Sequence, residues 1–200
     1  MPAVPNFTGL YDIDKRLQNL AQYLSTKLTW LDHSFGLADR LREIRGEGDV
    51  RIYPGTYLSN TEDPFDCHPS DEHNIAFWIA EDNAEVAFAD QYSQKPSPLM
   101  VYNVSLIVFI NLSDVPGIKN ELRSARRNEI TEALNTIRPF AFDGATVKPD
   151  CIFSLSGIVE NDIRRIYEGF TYEDRFNTFK QLPFYAARFN GTLSFRPDCD

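Results

Sequence analysis

The chain is poor in the residues that mark most chemistries. Its three cysteines, Cys67, Cys151 and Cys199, are too few and too odd in number for a disulfide framework. They fit free thiols in a reducing compartment. There are three histidines, and the ten glycines form neither a G-x-G-x-x-G nor a G-x-x-x-x-G-K-[ST] phosphate loop. A G-x-S-x-G nucleophile elbow is also missing. No apolar run approaches the ~20 residues of a membrane span. The opening MPAVPNFTGLYDID lacks the basic region and apolar core of a signal peptide. Positive charge is short as well: 20 Lys and Arg stand against 29 Asp and Glu, a net charge of -9. That argues against wrapping nucleic acid through a basic surface, and leaves room for a wall past which DNA slides. The composition points to a soluble protein, intracellular or assembled inside a cell.

What is present is apolar patterning. A hydrophobic fraction of 42% in 200 residues is ample for one core, and aromatics are plentiful, with 15 Phe, 9 Tyr and 2 Trp. The stretch Met100–Leu112 dominates: Tyr102, Val104, Leu106, Val108, Ile110 and Leu112 form an apolar row of period two. Val101, Ile107 and Phe109 make the second face half apolar, as in a long strand with both faces at least partly covered. A helix, 13–31 or 118–137, or a neighbouring subunit is expected over that second face.

Ile13, Leu17, Leu20, Leu24, Leu28 and Leu31 recur at helical spacing and predict an amphipathic helix over 13–31. A short helical piece is expected over 37–44. Ile118, Leu122, Ile130, Ala133, Leu134 and Ile137 predict a second long helix over 118–137, capped by Ser113 or Asp114. Strands are expected near 50–58, 74–80, 85–89, 100–112, 151–159 and 184–195, with a hairpin turn at Asp82-Asn83. Asn161 or Asp162 should start a short helix, and 172–179 should form another helical turn. The last strand is the cleanest, with Tyr185, Ala187, Phe189, Leu193 and Phe195 on one face, and it should pair near the central strand. The sum is a single α+β domain, 1–200: a mainly antiparallel sheet flanked by amphipathic helices, with long loops at 59–73 and 91–99.

The densest polar cluster lies in the first of those loops. Asp66, Cys67, His68 and His73 mix soft and hard metal-ligand types. The spacing is not that of a zinc site: Cys67 and His68 are adjacent, and no second ligand pair follows. A solvated acidic loop is the ordinary reading, no cofactor is expected, and no enzyme activity is assigned. Arg123, Arg126 and Arg127 share a helix face, suited to a solvated surface or to an acidic neighbouring subunit.

The order of elements carries a resemblance. An N-terminal amphipathic helix leads to WLDHSFG, RIYPGTYLSN and PSDEHNIAFWIAED. VYNVSLIVFINL then precedes an arginine-bearing helix, and the chain closes on LPFYAARFNGTLSF. This pattern resembles the tail-terminator and head–tail connector (neck) ring proteins of tailed phages, of the type infecting Bacteroidetes. The resemblance implies a structural virion protein at the tail or neck, made in the host cytoplasm. It implies a ring of identical subunits, sixfold in the family, which joins the tail tube to the head. Tube and neck proteins would be its partners, and genomic DNA would pass without sequence-specific binding or any membrane. On that reading Arg123, Arg126, Arg127, Phe65 and Trp78 are candidate subunit contacts, and loops 59–73 and 91–99 are contact arms. The alternatives are a soluble intracellular binding module using loop 59–73, and a metal-dependent hydrolase centred on Asp66, Cys67, His68 and His73.

Overall fold

A computed structural model describes residues 12–46, 48–57, 63–88, 98–115, 119–137 and 151–196. Its elements are α1 (Asp12–Lys27), β1 (His33–Leu37), β2 (Asp39–Arg45), β3 (Asp49–Thr56), β4 (Phe65–Asp66), β5 (Ile75–Phe88), β6 (Pro98–Asn111), α2 (Lys119–Asn135), β7 (Ile152–Glu160), α3 (Ile163–Ile166) and β8 (Phe184–Phe195). Leu112–Asp114 and Asp174–Lys180 form 3₁₀ turns. The main sheet has the order β1-β5-β6-β8-β7, antiparallel except for the parallel β1–β5 pair. A second sheet has the order β2-β3-β4. The α+β class expected from the sequence is the class observed.

The central strand β6 does what its alternation dictates. Val104, Leu106, Val108 and Ile110 face one core, beneath Leu17, Leu20, Leu24 and Leu28 of the α1 stripe and Ile130, Leu134 and Ile137 of the α2 stripe. Each such side chain taken from water stabilises the fold by about 1.5–3 kcal/mol before entropy is counted. Its other face carries Ile107 and Phe109 into a second core with Phe35, Phe77, Ile163, Ile166, Tyr167 and Phe176. The long helices expected over this face are not there. It is covered within the chain by α3, the 174–180 turn and the 65–68 segment.

Several boundaries differ from expectation. α1 ends at Lys27, and Leu28 and Leu31 extend its apolar stripe from a turn. The expected helical piece 37–44 is extended: β1 and β2 run through it, because Leu37, Leu41 and Ile44 mimic a helical period. Gly36 lets β1 lie against α1; a Cβ there would meet the Gln18 backbone nitrogen at 3.1 Å. Residues 75–88 form one strand, with the expected turn at Asp82-Asn83 replaced by an irregularity between Ala80 and Ala84. Ser113 and Asp114, expected to cap the helix 118–137, lie in the 3₁₀ turn after β6, which Asn111 caps by accepting from the Ser113 amide at 3.0 Å; the position just before α2 lies outside the described residues. Asn74 ties the sheet's start together. Its carbonyl accepts from the His33 amide (3.1 Å), and its Oδ1 from the Asn111 amide (2.7 Å). No helix among the described residues is long and apolar enough to cross a membrane.

Candidate functional site

The β2–β3 hairpin presents two surfaces with different properties. Cross-strand pairing places Leu41 opposite Tyr53, Glu43 opposite Arg51, and Arg45 opposite Asp49 on one face of the β2–β3 hairpin. The other face carries Arg40 opposite Pro54, Arg42 opposite Ile52, and Ile44 opposite Val50. Gly46 (φ +54°) and Gly48 (φ +102°) flank the hairpin's turn in the left-handed region that favours glycine.

The inward face is organised by Arg51, whose side chain is 7% exposed. Its Nη2 donates to Asp66 Oδ2 and to His68 Nδ1 (2.7 Å), and its Nη1 donates to Glu43 Oε2 at 3.4 Å. Its Nε lies 2.6 Å from Glu173 Oε1 as an ion-pair contact without hydrogen-bond alignment. The guanidinium also covers the Tyr53 ring, 4.8 Å from its centroid. Glu173 takes Arg175 Nε (2.6 Å) and Arg45 Nη1 (3.4 Å) as well. Three strands' worth of chain, β2, β3 and β4, is thus locked to the segment entering the 174–180 turn.

His68 completes this centre. His68 Nδ1 sits between Arg51 Nη2, which can only donate, and Asp66 Oδ1 at 3.0 Å, which as a carboxylate oxygen can only accept; the other ring nitrogen is Nε2. That Nε2 is buried and has no hydrogen-bond partner among the described residues. The ring packs among Phe176 (4.9 Å between centroids), Tyr167 (5.8 Å) and Phe170 (6.4 Å). Burial lowers the His68 pKa below its ordinary 6.5, against the upward pull of Asp66. Burial acts to raise Asp66, but hydrogen bonds and charge from His68, with help from Arg51, outweigh it and hold the carboxyl at about 2.

The sequence-stretch residues considered as metal ligands are separated by this arrangement. Asp66 and His68 bind Arg51. Cys67 is buried, its Sγ directed to the Phe65 carbonyl at 3.8 Å, and burial raises its thiol pKa. His73 lies elsewhere, its ring 4.8 Å from that of His33, beside Phe65. Among the described residues no three His, Cys, Asp or Glu side chains converge as a metal-binding group.

The arginines and aromatics considered as subunit contacts have partners inside the chain. Arg123 Nη2 donates to the Phe184 carbonyl (2.9 Å), and Arg127 Nη1 to Glu160 (3.2 Å). Arg126 pairs with Glu129 and lies over Trp30, whose Nε1 donates to the same Glu129 at 3.1 Å. Phe65 packs on Phe35, 4.9 Å between centroids. Trp78 is fully buried, so its place is the chain's own core and not a subunit surface. Of the two expected contact arms, 59–62 and 91–97 lie outside the described residues. Residues 63–73 fold back, with Cys67 and His68 buried.

Two features were not read from the sequence. One is the outward hairpin face, where Ile44 is 68% exposed and Ile52 38%. The other is the outer edge of β5. β1 pairs with β5 only at Ile75, Ala76 and Trp78, and Ala38 adds one bond to Trp78. From Ile79 to Phe88 that edge has no strand partner among the described residues. Where β1 departs, a groove of about 630 Å³ opens, lined by Leu37, Asp39, Arg40, Glu81, Tyr102 and Arg188 among others. Arg188 is fixed there by its Nε–H donating to Asn190 Oδ1 (2.9 Å), and burial lowers its pKa.

No family model and no curated protein matches this chain.

The buried centre predicts a two-step acid response. His68 and His33 are both held below 6.5, burial being the leading cause in each. Below 6.5 the unfolded chain therefore binds more protons than the folded one, and stability falls as pH drops toward the folded values. Asp66, at about 2 against an ordinary 3.8, contributes stability above about pH 4 that is lost between about 4 and 2. Its side chain is a third exposed, so that second step is discounted to roughly 1–2 kcal/mol. Urea midpoints at pH 8, 6, 4 and 2.5 measure both steps. A midpoint unchanged between pH 8 and 4 would contradict the first.

Proposed function

We propose that this chain is a structural subunit of a tailed-phage particle, a tail terminator or neck ring protein that joins the tail tube to the head and lines the DNA passage. The observation that carries the reading is the pair of open surfaces on a doubly covered sheet. A stiff five-stranded sheet, with a core on each face, holds a locked hairpin whose outer side is apolar and cationic. Among the described residues, the same sheet leaves the β5 edge from Ile79 to Phe88 without a strand. Such surfaces are costly on a monomer and useful to a protein that assembles. The acidic composition suits a lumen that DNA must traverse without sticking.

The reading is tested by proteomic analysis and antibody labelling of purified particles from the source. Label at the head–tail junction is expected; absence of the chain from intact particles overturns the reading. The groove of about 630 Å³ beside Arg40 and Arg188 favours a second reading, a binding module. In that case affinity capture recovers non-virion partners.

A further inference from the structure

We propose that the outward face of the β2–β3 hairpin docks on the acidic outer edge of β5 in a second copy of this chain. The inference rests on the assembly reading above and names the contact it needs.

The hairpin's two faces differ in charge balance. Inward, Glu43 faces Arg51 and Asp49 faces Arg45, so the paired residues neutralise one another. Outward, the paired residues Arg40, Arg42, Ile44, Val50, Ile52 and Pro54 include two cations and no carboxylate. Arg40 is engaged within the chain, its guanidinium over the Phe170 ring at 5.9 Å. Gly169 (φ +91°) permits this approach, since a Cβ there would come within 2.9 Å of Arg40 Nη2. Arg42 is exposed and has no hydrogen-bond or ion-pair partner among the described residues. With Ile44 and Ile52 it forms an apolar patch carrying one available guanidinium. That composition is typical of interface cores, in which arginine and apolar side chains are enriched.

The complementary surface is on the same chain. Glu81 and Glu85 are exposed on β5 beyond the last residue that β1 covers. Glu81 accepts from Asn103 Nδ2 at 3.1 Å and is also drawn to Arg188, with which it lines the groove, so Glu85 is the carboxylate this edge offers most openly. Glu85 has no ion-pair partner among the described residues. An edge guarded by carboxylates repels its own kind and accepts a cationic strand. In a chain of net charge -9, a cationic apolar face is the exception, and another copy supplies the carboxylates it lacks.

The test is sedimentation velocity with native mass spectrometry on the full chain, over a concentration series at low and high salt. Wild type should self-associate, less strongly in high salt. Arg42→Glu and Ile44→Ser should each weaken association about tenfold, and Glu85→Arg likewise. Combining Arg42→Glu with Glu85→Arg should bring association back to within about threefold of wild type, because the pair is swapped rather than removed. All these positions are exposed, so the variants should melt with wild type. If wild type assembles and Arg42→Glu assembles equally well, or the swap restores nothing, this contact is wrong while the ring reading stands. If wild type stays monomeric throughout, both fall.

Discussion

Arg51→Ala is expected to lower the unfolding free energy by about 2–3 kcal/mol, because it removes the buried cation that three partly exposed carboxylates share. Asp66, Glu43 and Glu173 all lie within 3.4 Å of the Arg51 guanidinium, and Glu173 is itself only 18% exposed. Removing the arginine leaves Asp66 without its cation, while Glu43 keeps Arg45 and Glu173 keeps Arg45 and Arg175; it also frees His68 Nδ1, which then has only the Asp66 carboxylate beside it. The hairpin base and the approach to the 174–180 turn should loosen together. Amide exchange should therefore speed up in both segments, beyond a uniform drop in stability. Arg45→Ala supplies the comparison. Arg45 touches two of the same carboxylates, but its side chain is 46% exposed, so the loss should stay within about 1 kcal/mol. Equal effects from the two substitutions would show that the centre is not organised by Arg51.

Trp78→Ala is expected to cost about 3–5 kcal/mol through the cavity it leaves. Trp78 is among the largest fully buried side chains, set edge-on to Phe153 at 5.5 Å between helices and sheet. On the expectation that Trp78 contacts a neighbouring subunit, the substitution would leave the monomer's stability unchanged and reduce assembly alone. Chemical denaturation of dilute protein separates the two. A monomer as stable as wild type would return Trp78 to the surface; a large loss of stability fixes it in the core.

Much of the fold was legible because period-two patterning is strong where a strand has one fully apolar face. The expected range 184–195 for β8 is the observed one, and its partner is the central strand β6 as expected. The long helix 118–137 emerged close to its predicted length for the same reason at period 3.6. The failures have physical causes. β1, HSFGL, is too short and too polar to read as a strand, and it becomes one by parallel pairing with β5 beneath α1. β2 read as helical because Leu37, Leu41 and Ile44 are spaced four and three apart, which fits a helical face, whereas in the strand Leu41 and Ile44 fall on opposite faces. β5 read as a hairpin because Asp82-Asn83 is turn chemistry, which the strand absorbs as a local irregularity instead.

The candidate surfaces were less legible still. Tertiary ion pairing brings Arg51 of β3 inward and leaves the apolar Val50 and Ile52 outside. No local signal distinguishes Asp66 and His68 as partners of Arg51 from a solvated acidic loop, since the partners lie 15 and 17 residues away along the chain. One hint was available. An arginine alternating with apolar residues on an otherwise strand-like stretch is either exposed or met by carboxylates, and Glu43, eight residues earlier, sits directly across the hairpin.

The central claim is that this chain is built to assemble with itself. Negative-stain electron microscopy of the purified wild-type chain, at concentrations bracketing those of phage assembly, addresses it most directly. The account predicts closed rings of uniform subunit number that dissolve in high salt. A monodisperse monomer at every concentration and salt, with no rings on any grid, would contradict it.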